Sequence, residues 1–107
     1  MDQRTLEQRS QELQAKFEAI LGSRNVYYNP PASVRMKYPA IVFSGSGFDK
    51  KNANNATYAR SRKYEVTVID SDPDCQYIED VLNLPLCAFD RHFVSDNLHH
   101  NIFTLYY

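Results

Sequence analysis

The chain has no tryptophan, only three glycines and two cysteines in 107 residues, and its acidic and basic side chains almost cancel, to a net charge of −1. Each shortage closes a class of function. Two cysteines, Cys75 and Cys87, cannot build a disulfide framework, and we expect both to be reduced thiols in a protein made in a reducing compartment. A net charge near zero lacks the bulk electrostatic footprint of a duplex nucleic-acid binder. No apolar run approaches the length needed to cross a bilayer, so no membrane partner is expected. The polar opening Met1 to Ser10 has no apolar stretch of the kind a secretory signal needs. Ser44-Gly-Ser-Gly-Phe48 follows a strand pattern but lacks the third glycine, the Gly-Lys-Ser/Thr ending and the following helix of a nucleotide loop.

What remains is ordinary globular material with an unusual aromatic load. Apolar residues make up 43% and charged residues 23%, within the range of folded domains. We expect a single domain over 1–107, whose core buries roughly 60–70% of the unfolded surface and therefore stabilises it only modestly. Eight tyrosines and six phenylalanines exceed what so small a core needs. Some rings are expected in an interface, where tyrosine combines contact area with a polar tip; the candidates are Tyr27, Tyr28, Tyr58, Tyr106 and Tyr107.

Periodicity predicts the elements. Leu6, Leu13, Phe17, Ile20 and Leu21 recur at helical spacing, giving a helix over about 5–21 with a Thr5/Gln8 capping box and a Gly22 stop. Glu12 and Lys16 form an i,i+4 pair on its wet face. Sheet and second helix then occupy 24–107. Val26–Tyr28 and Tyr38–Phe43 read as strands, Pro39 suiting a strand start. Residues 44–58 read as a long loop. Tyr64–Ile69 alternates as a strand. Asp72-Pro73-Asp74 reads as the start of a second helix, with Asp72 as cap and Pro73 in the first position, burying Cys75, Ile78, Val81 and Leu82. Cys87 falls at the start of the next strand. Strands at about Leu86–Ser95 and His99–Tyr107 are joined at Asp96-Asn97, and the last residues keep strand alternation to the final position. The order α-β-β-β-α-β-β is that of an α+β fold with two helices packed on an antiparallel or mixed β-sheet.

The side chains that could carry chemistry do not assemble into a signature. Asp70, Asp72 and Asp74 alternate like the start of a calcium loop, but Cys75 stands where its glycine belongs and Val81 where its glutamate belongs; helix capping accounts for them. Cys75, Cys87, His92, His99 and His100 lack zinc-ligand spacing. No local pattern positions a nucleophile. We therefore expect no catalytic residue, no metal and no cofactor. Lys50, Lys51, Arg60, Arg62 and Lys63 form a basic cluster opposed only by Asp49. They mark the 44–58 loop and its flank as a partner-contact candidate, facing an acidic protein surface or passing nucleic acid.

Several stretches share an ordered likeness. Asn25-Val-Tyr-Tyr-Asn-Pro-Pro31, Tyr38-Pro-Ala-Ile-Val42, Tyr64-Glu-Val-Thr-Val-Ile-Asp70, Asp72-Pro-Asp74, Leu84-Pro85, Asp90-Arg91, Asp96-Asn-Leu-His-His100 and Leu105-Tyr-Tyr107 together resemble the small tail terminator (tail completion) proteins of long-tailed bacteriophages, notably those of Gram-positive hosts. The resemblance spans roughly residues 24–107. It implies a virion structural protein, assembled in the host cytoplasm and located at the head–tail junction. Such proteins form a homo-hexameric ring that caps the head-proximal end of the tail tube, stops its polymerisation and meets the head connector or stopper protein. DNA passes through the lumen without specific binding. The neighbouring joint proteins, stopper and adaptor, are an alternative of the same class, and a small nucleic-acid-binding module using the basic cluster and tyrosines is an alternative of another.

Overall fold

A computed structural model describes residues 5–48 and 62–107. Its elements run α1 (Leu6–Leu21), β1 (Val26–Tyr28), β2 (Ala40–Phe48), β3 (Arg62–Asp70), α2 (Tyr77–Leu82), β4 (Cys87–Ser95) and β5 (Leu98–Tyr106). This is the α+β order that the periodicity predicts.

The sheet is mixed, in the spatial order β1-β2-β3-β5-β4. Strands β1 and β2 are parallel, and every other pair is antiparallel. Both helices cover one face. Leu13, Phe17 and Leu21 of α1 pack with Val81 of α2 onto Ile41, Phe43, Tyr64, Val66, Val68, Phe103 and Leu105. The opposite face, carrying Val42, Thr67 and Ile102 in register, has no helix over it among the described residues.

Local chemistry explains the start and stop of α1. The Thr5 hydroxyl accepts from the Gln8 N–H (3.1 Å) while the Thr5 N–H donates to Gln8 Oε1 (2.8 Å), the reciprocal capping box. Gly22 ends the helix at φ 69, donating to the Glu18 carbonyl (2.9 Å); a side chain at that dihedral would be strained. The buried stripe differs from expectation at its first turn: Leu6 is exposed, and Arg9 and Ser10 are buried instead. Glu12 and Lys16 are also not simply a solvated pair. Both meet Tyr107, whose hydroxyl donates to Glu12 Oε1 (2.8 Å) and whose ring lies 5.9 Å below the Lys16 Nζ.

Two boundaries are corrected. The segment read as a loop over 44–58 is strand through Phe48, paired with Arg62 across a bulge at Ser46; residues 49–58 lie outside the described residues. The second helix begins at Tyr77, not at Asp72. The Asp70 and Asp72 carboxylates accept from the N–H groups of Asp72 (3.2 Å) and Asp74 (2.9 Å). These successive Asx turns divert the would-be cap into a loop. Of the expected buried face, Cys75 and Val81 are buried, Ile78 is half-buried and Leu82 is exposed.

Cys75 sits just ahead of α2, in the core cluster. Burial pushes its thiol up from 9.0 to about 11; the Tyr77 backbone N–H pulls it down, and Asp70, by hydrogen bond and charge, adds to the rise. Burial likewise raises Cys87. The folded chain therefore holds the Cys75 proton more tightly than the unfolded chain does. This contribution to stability is complete below about pH 9 and is lost as pH climbs towards about 11. Native protein at pH 8 is expected to alkylate slowly at Cys75 and rapidly once unfolded; mass-resolved iodoacetamide labelling with and without denaturant measures this.

Tyr64 is fully buried, and its hydroxyl has no hydrogen-bond partner among the described residues. Tyr64→Phe removes a polar group already stripped of water, so it is expected to leave the urea midpoint unchanged or raise stability by up to about 1 kcal/mol.

Candidate protein interface

The edge strand β4 is the least covered element among the described residues. Hydrogen-bonded there to β5 alone, it exposes every residue after Cys87. Its far end is set by the turn at Asp96 and Asn97, whose φ values of 53 and 62 are both positive. Two such residues between Ser95 and Leu98 make a type I′ hairpin, the turn whose twist matches the strands it joins.

A bulge divides the strand. Phe89 pairs with Phe103 and Arg91 with Ile102, which leaves Asp90 as the extra residue. The bulge reverses the alternation. Before it, Cys87 and Phe89 lie on the helix side, and the Phe89 ring meets Phe103 edge-on at 5.6 Å. Beyond it, Arg91 and Phe93 lie on the open side. There Arg91 reaches Glu65 on β3 (4.0 Å) and its neighbour Asp90 (2.7 Å), and Phe93 stacks on His100 at 4.5 Å. His92 and His99 stack on the helix side with Nε2 and Nδ1 3.0 Å apart. That contact needs one nitrogen to donate and the other to accept.

The strand leaves large apolar surface in water. Phe89 is 50% exposed, Phe93 44% and Val94 54%, with Leu86 at 68% just before the strand. Clustered apolar exposure on a strand edge is the surface character on which partners dock, which makes this edge the candidate interface.

The predicted interface tyrosines behave differently. The Tyr27 hydroxyl accepts from the Lys37 N–H (3.1 Å), and that of Tyr28 accepts from Arg62 (3.3 Å). Tyr107 is bound to α1, as described, and exchanges backbone hydrogen bonds with Arg62 (3.0 Å each). These rings fasten the chain to itself. Tyr106 is half-buried on the open face beside Lys63, and Tyr58 lies outside the described residues.

The basic cluster is likewise divided. Lys50, Lys51 and Arg60 lie outside the described residues. Arg62 and Lys63 are strand residues rather than part of a loop, and strand alternation sends them to opposite faces. Arg62 is half-buried: its guanidinium lies across Gly45, 5.3 Å from the Tyr64 ring centre. Lys63 is on the open face.

Other arrangements offer less. A groove of about 480 Å³ beside α1 is lined by Leu6, Glu7, Ser10, Gln11, Gln14, Tyr28 and Arg62. Among the described residues no three His, Cys, Asp or Glu side chains converge as metal ligands. Comparison with family models, with curated proteins and with solved structures finds no match.

Sequence reasoning missed Phe89, Phe93 and Val94 as the exposed apolar set. A spacing of four puts Phe89 and Phe93 on one face of a regular strand, and nothing in the periodicity says which strand is an edge. The charged run Asp90-Arg91-His92 between them was the available signal of a bulge. If these residues serve association, Phe93→Ser is expected to cost the isolated chain no more than about 1 kcal/mol, whereas Phe103→Ala costs about 3–5 kcal/mol. Chemical denaturation of the two variants measures the contrast.

Proposed function

We propose that this chain is a structural subunit of a bacteriophage virion: a tail terminator whose ring caps the head-proximal end of the tail tube and joins it to the head connector. The sequence resemblance over residues 24–107 supports this reading. One observation on the fold supports it further: β3 carries opposite charge at its two ends. Arg62 and Lys63 open the strand, with Lys50, Lys51 and Arg60 close by in sequence. Asp70 closes it, followed by Asp72 and Asp74, and by Glu79 and Asp80 on α2. A strand of nine residues separates the two groups by roughly 30 Å.

A closed ring needs two different patches on each subunit, one meeting the other on the next copy. Basic and acidic ends on one strand are such a pair, and opposite charge steers them into register. No reacting group is required. The conduit reading is also consistent with the engagement of Arg62: a subunit lining a DNA path has to let its cargo slide, and strong phosphate contacts would hold it.

The same arrangement would serve a stopper or adaptor ring, and position in the particle separates these from a terminator. The test is charge reversal in the phage that encodes the chain. Lys63→Glu, and separately Asp72→Lys with Asp74→Lys, are expected to give folded protein, overlong tail tubes and unjoined heads in electron micrographs, and the combined variant is expected to restore joining in part. Normal tails and normal joining in both single reversals, or absence of the chain from purified particles, would overturn the reading.

A further inference from the structure

The unpaired edge of β4 has a geometry that matches a second copy of itself. Hydrogen bonding to β5 determines which backbone groups of β4 point outward. The type I′ turn makes Ser95 and Leu98 a hydrogen-bonded pair. Phe93 and Ser95 therefore direct their N–H and C=O groups at β5, and His92 and Val94 direct theirs away from it. At the other end the Tyr106 N–H donates to the Leu86 carbonyl (3.1 Å). Leu86 and Ala88 thus face β5, and Cys87 and Phe89 face outward. The bulge at Asp90 has shifted the alternation, so the outward residues are odd-numbered before it and even-numbered after it.

Two such strands running antiparallel match their outward groups along the whole length only when each odd residue meets an even one. Phe89 then lies opposite His92 of the second copy, and Cys87 lies opposite Val94, each pair exchanging two hydrogen bonds. Ala88 lies opposite Phe93 between them. At the centre Asp90 faces Arg91, and by symmetry Arg91 faces Asp90. The side-chain faces agree as well: Cys87, Phe89, His92 and Val94 are all on the helix side, while Ala88 and Phe93 are both on the open side. Registers of like-numbered parity that carry the pairing across the bulge set helix-side residues against open-side ones.

We propose that the β4 edge is a self-association site, through which two copies of the chain pair antiparallel with Asp90 against Arg91 and Phe89 against His92. The second copy is favoured over an unrelated extended segment because the charge complementarity is reciprocal. An unrelated strand would also have to carry its own bulge at the matching place. Pairing covers Phe89, Phe93 and Val94, which otherwise face water. The contact is isologous and closes after two copies, leaving both ends of β3 free. It goes beyond the ring reading and stands without it.

The experiment uses the full chain in dilute solution. Sedimentation of the unmodified protein is expected to show a concentration-dependent dimer. Val94→Cys is expected to cross-link to Cys87 of the second copy under mild oxidation, giving a covalent dimer on a non-reducing gel, because directly opposed strand residues lie within disulfide reach. Ser95→Cys, one position out of register, is the control and is expected to stay uncross-linked. Asp90→Arg and Arg91→Asp are each expected to weaken the dimer roughly ten-fold by setting like charges opposite each other, and the double exchange is expected to recover it. All these positions are exposed, so circular dichroism is expected to be unchanged. A monomer at every concentration overturns the proposal. So does a dimer that cross-links equally through both cysteine variants, or one that ignores the single charge reversals. None of these results bears on tail length or head joining, so the two readings fail separately.

Discussion

Burial of one face of β3 is the constraint on which the remaining structure depends. Tyr64, Val66 and Val68 are removed entirely from water, flanked by Ile41 and Phe43 on β2 and by Phe103 and Leu105 on β5. Each such side chain is worth about 1.5–3 kcal/mol against exposure, and together they are the main favourable term in a chain this short. The face needs a roof, which α1 supplies through Leu13, Phe17 and Leu21, and α2 through Val81. Two short helices do not roof five strands. Among the described residues the coverage runs out at β4, and the surface left there follows from how little of the sheet the two helices span.

Much of this was legible in the residues. The capping box at Thr5 and Gln8, the glycine stop, the Asp96-Asn97 turn and the seven-element order all rest on local chemistry that operates wherever those residues occur. The misses have local causes too. Ser44-Gly-Ser-Gly-Phe48 reads as loop because glycine is rare in strands, yet at Gly45 an added Cβ would collide with the guanidinium of Arg62. That requirement is set by a residue far along the chain and is invisible to periodicity. The start of α2 was misplaced because aspartate serves turns as readily as caps, and at Asp70 and Asp72 the turns win.

The exposed apolar strand was less legible than the fold. Tyrosines were the interface candidates, since a ring with a polar tip suits an interface. Here Tyr27, Tyr28 and Tyr107 spend those tips on Lys37, Arg62 and Glu12 within the same chain. Phenylalanine has no tip to spend, and Phe89 and Phe93 are left outside because their strand is last in the sheet. Strand order follows from how all the elements pack together, and local pattern does not carry it. The bulge at Asp90 adds a second reversal, turning two residues of equal parity to opposite faces.

The two edges of the sheet are unequal, and the inequality decides how the molecule can extend. The β1 edge is three residues long and is followed by Asn29 at φ 46 and then Pro30 and Pro31, so it offers almost nothing to a further strand. The β4 edge is nine residues long and carries no proline. Were both edges open, copies could add end to end without limit and form fibres. With one edge blunted, addition at β4 stops as soon as that edge is covered. The charged centre sharpens this limit, because Asp90 and Arg91, already paired with each other within the chain (2.7 Å), gain a further partner only from a strand that brings matching charges. Long hydrophobic edges are usually kept apart by a charge or a bulge. Here the bulge and the charges stand together at the midpoint of the strand, where they reject most sequences and are satisfied by their own inverted copy.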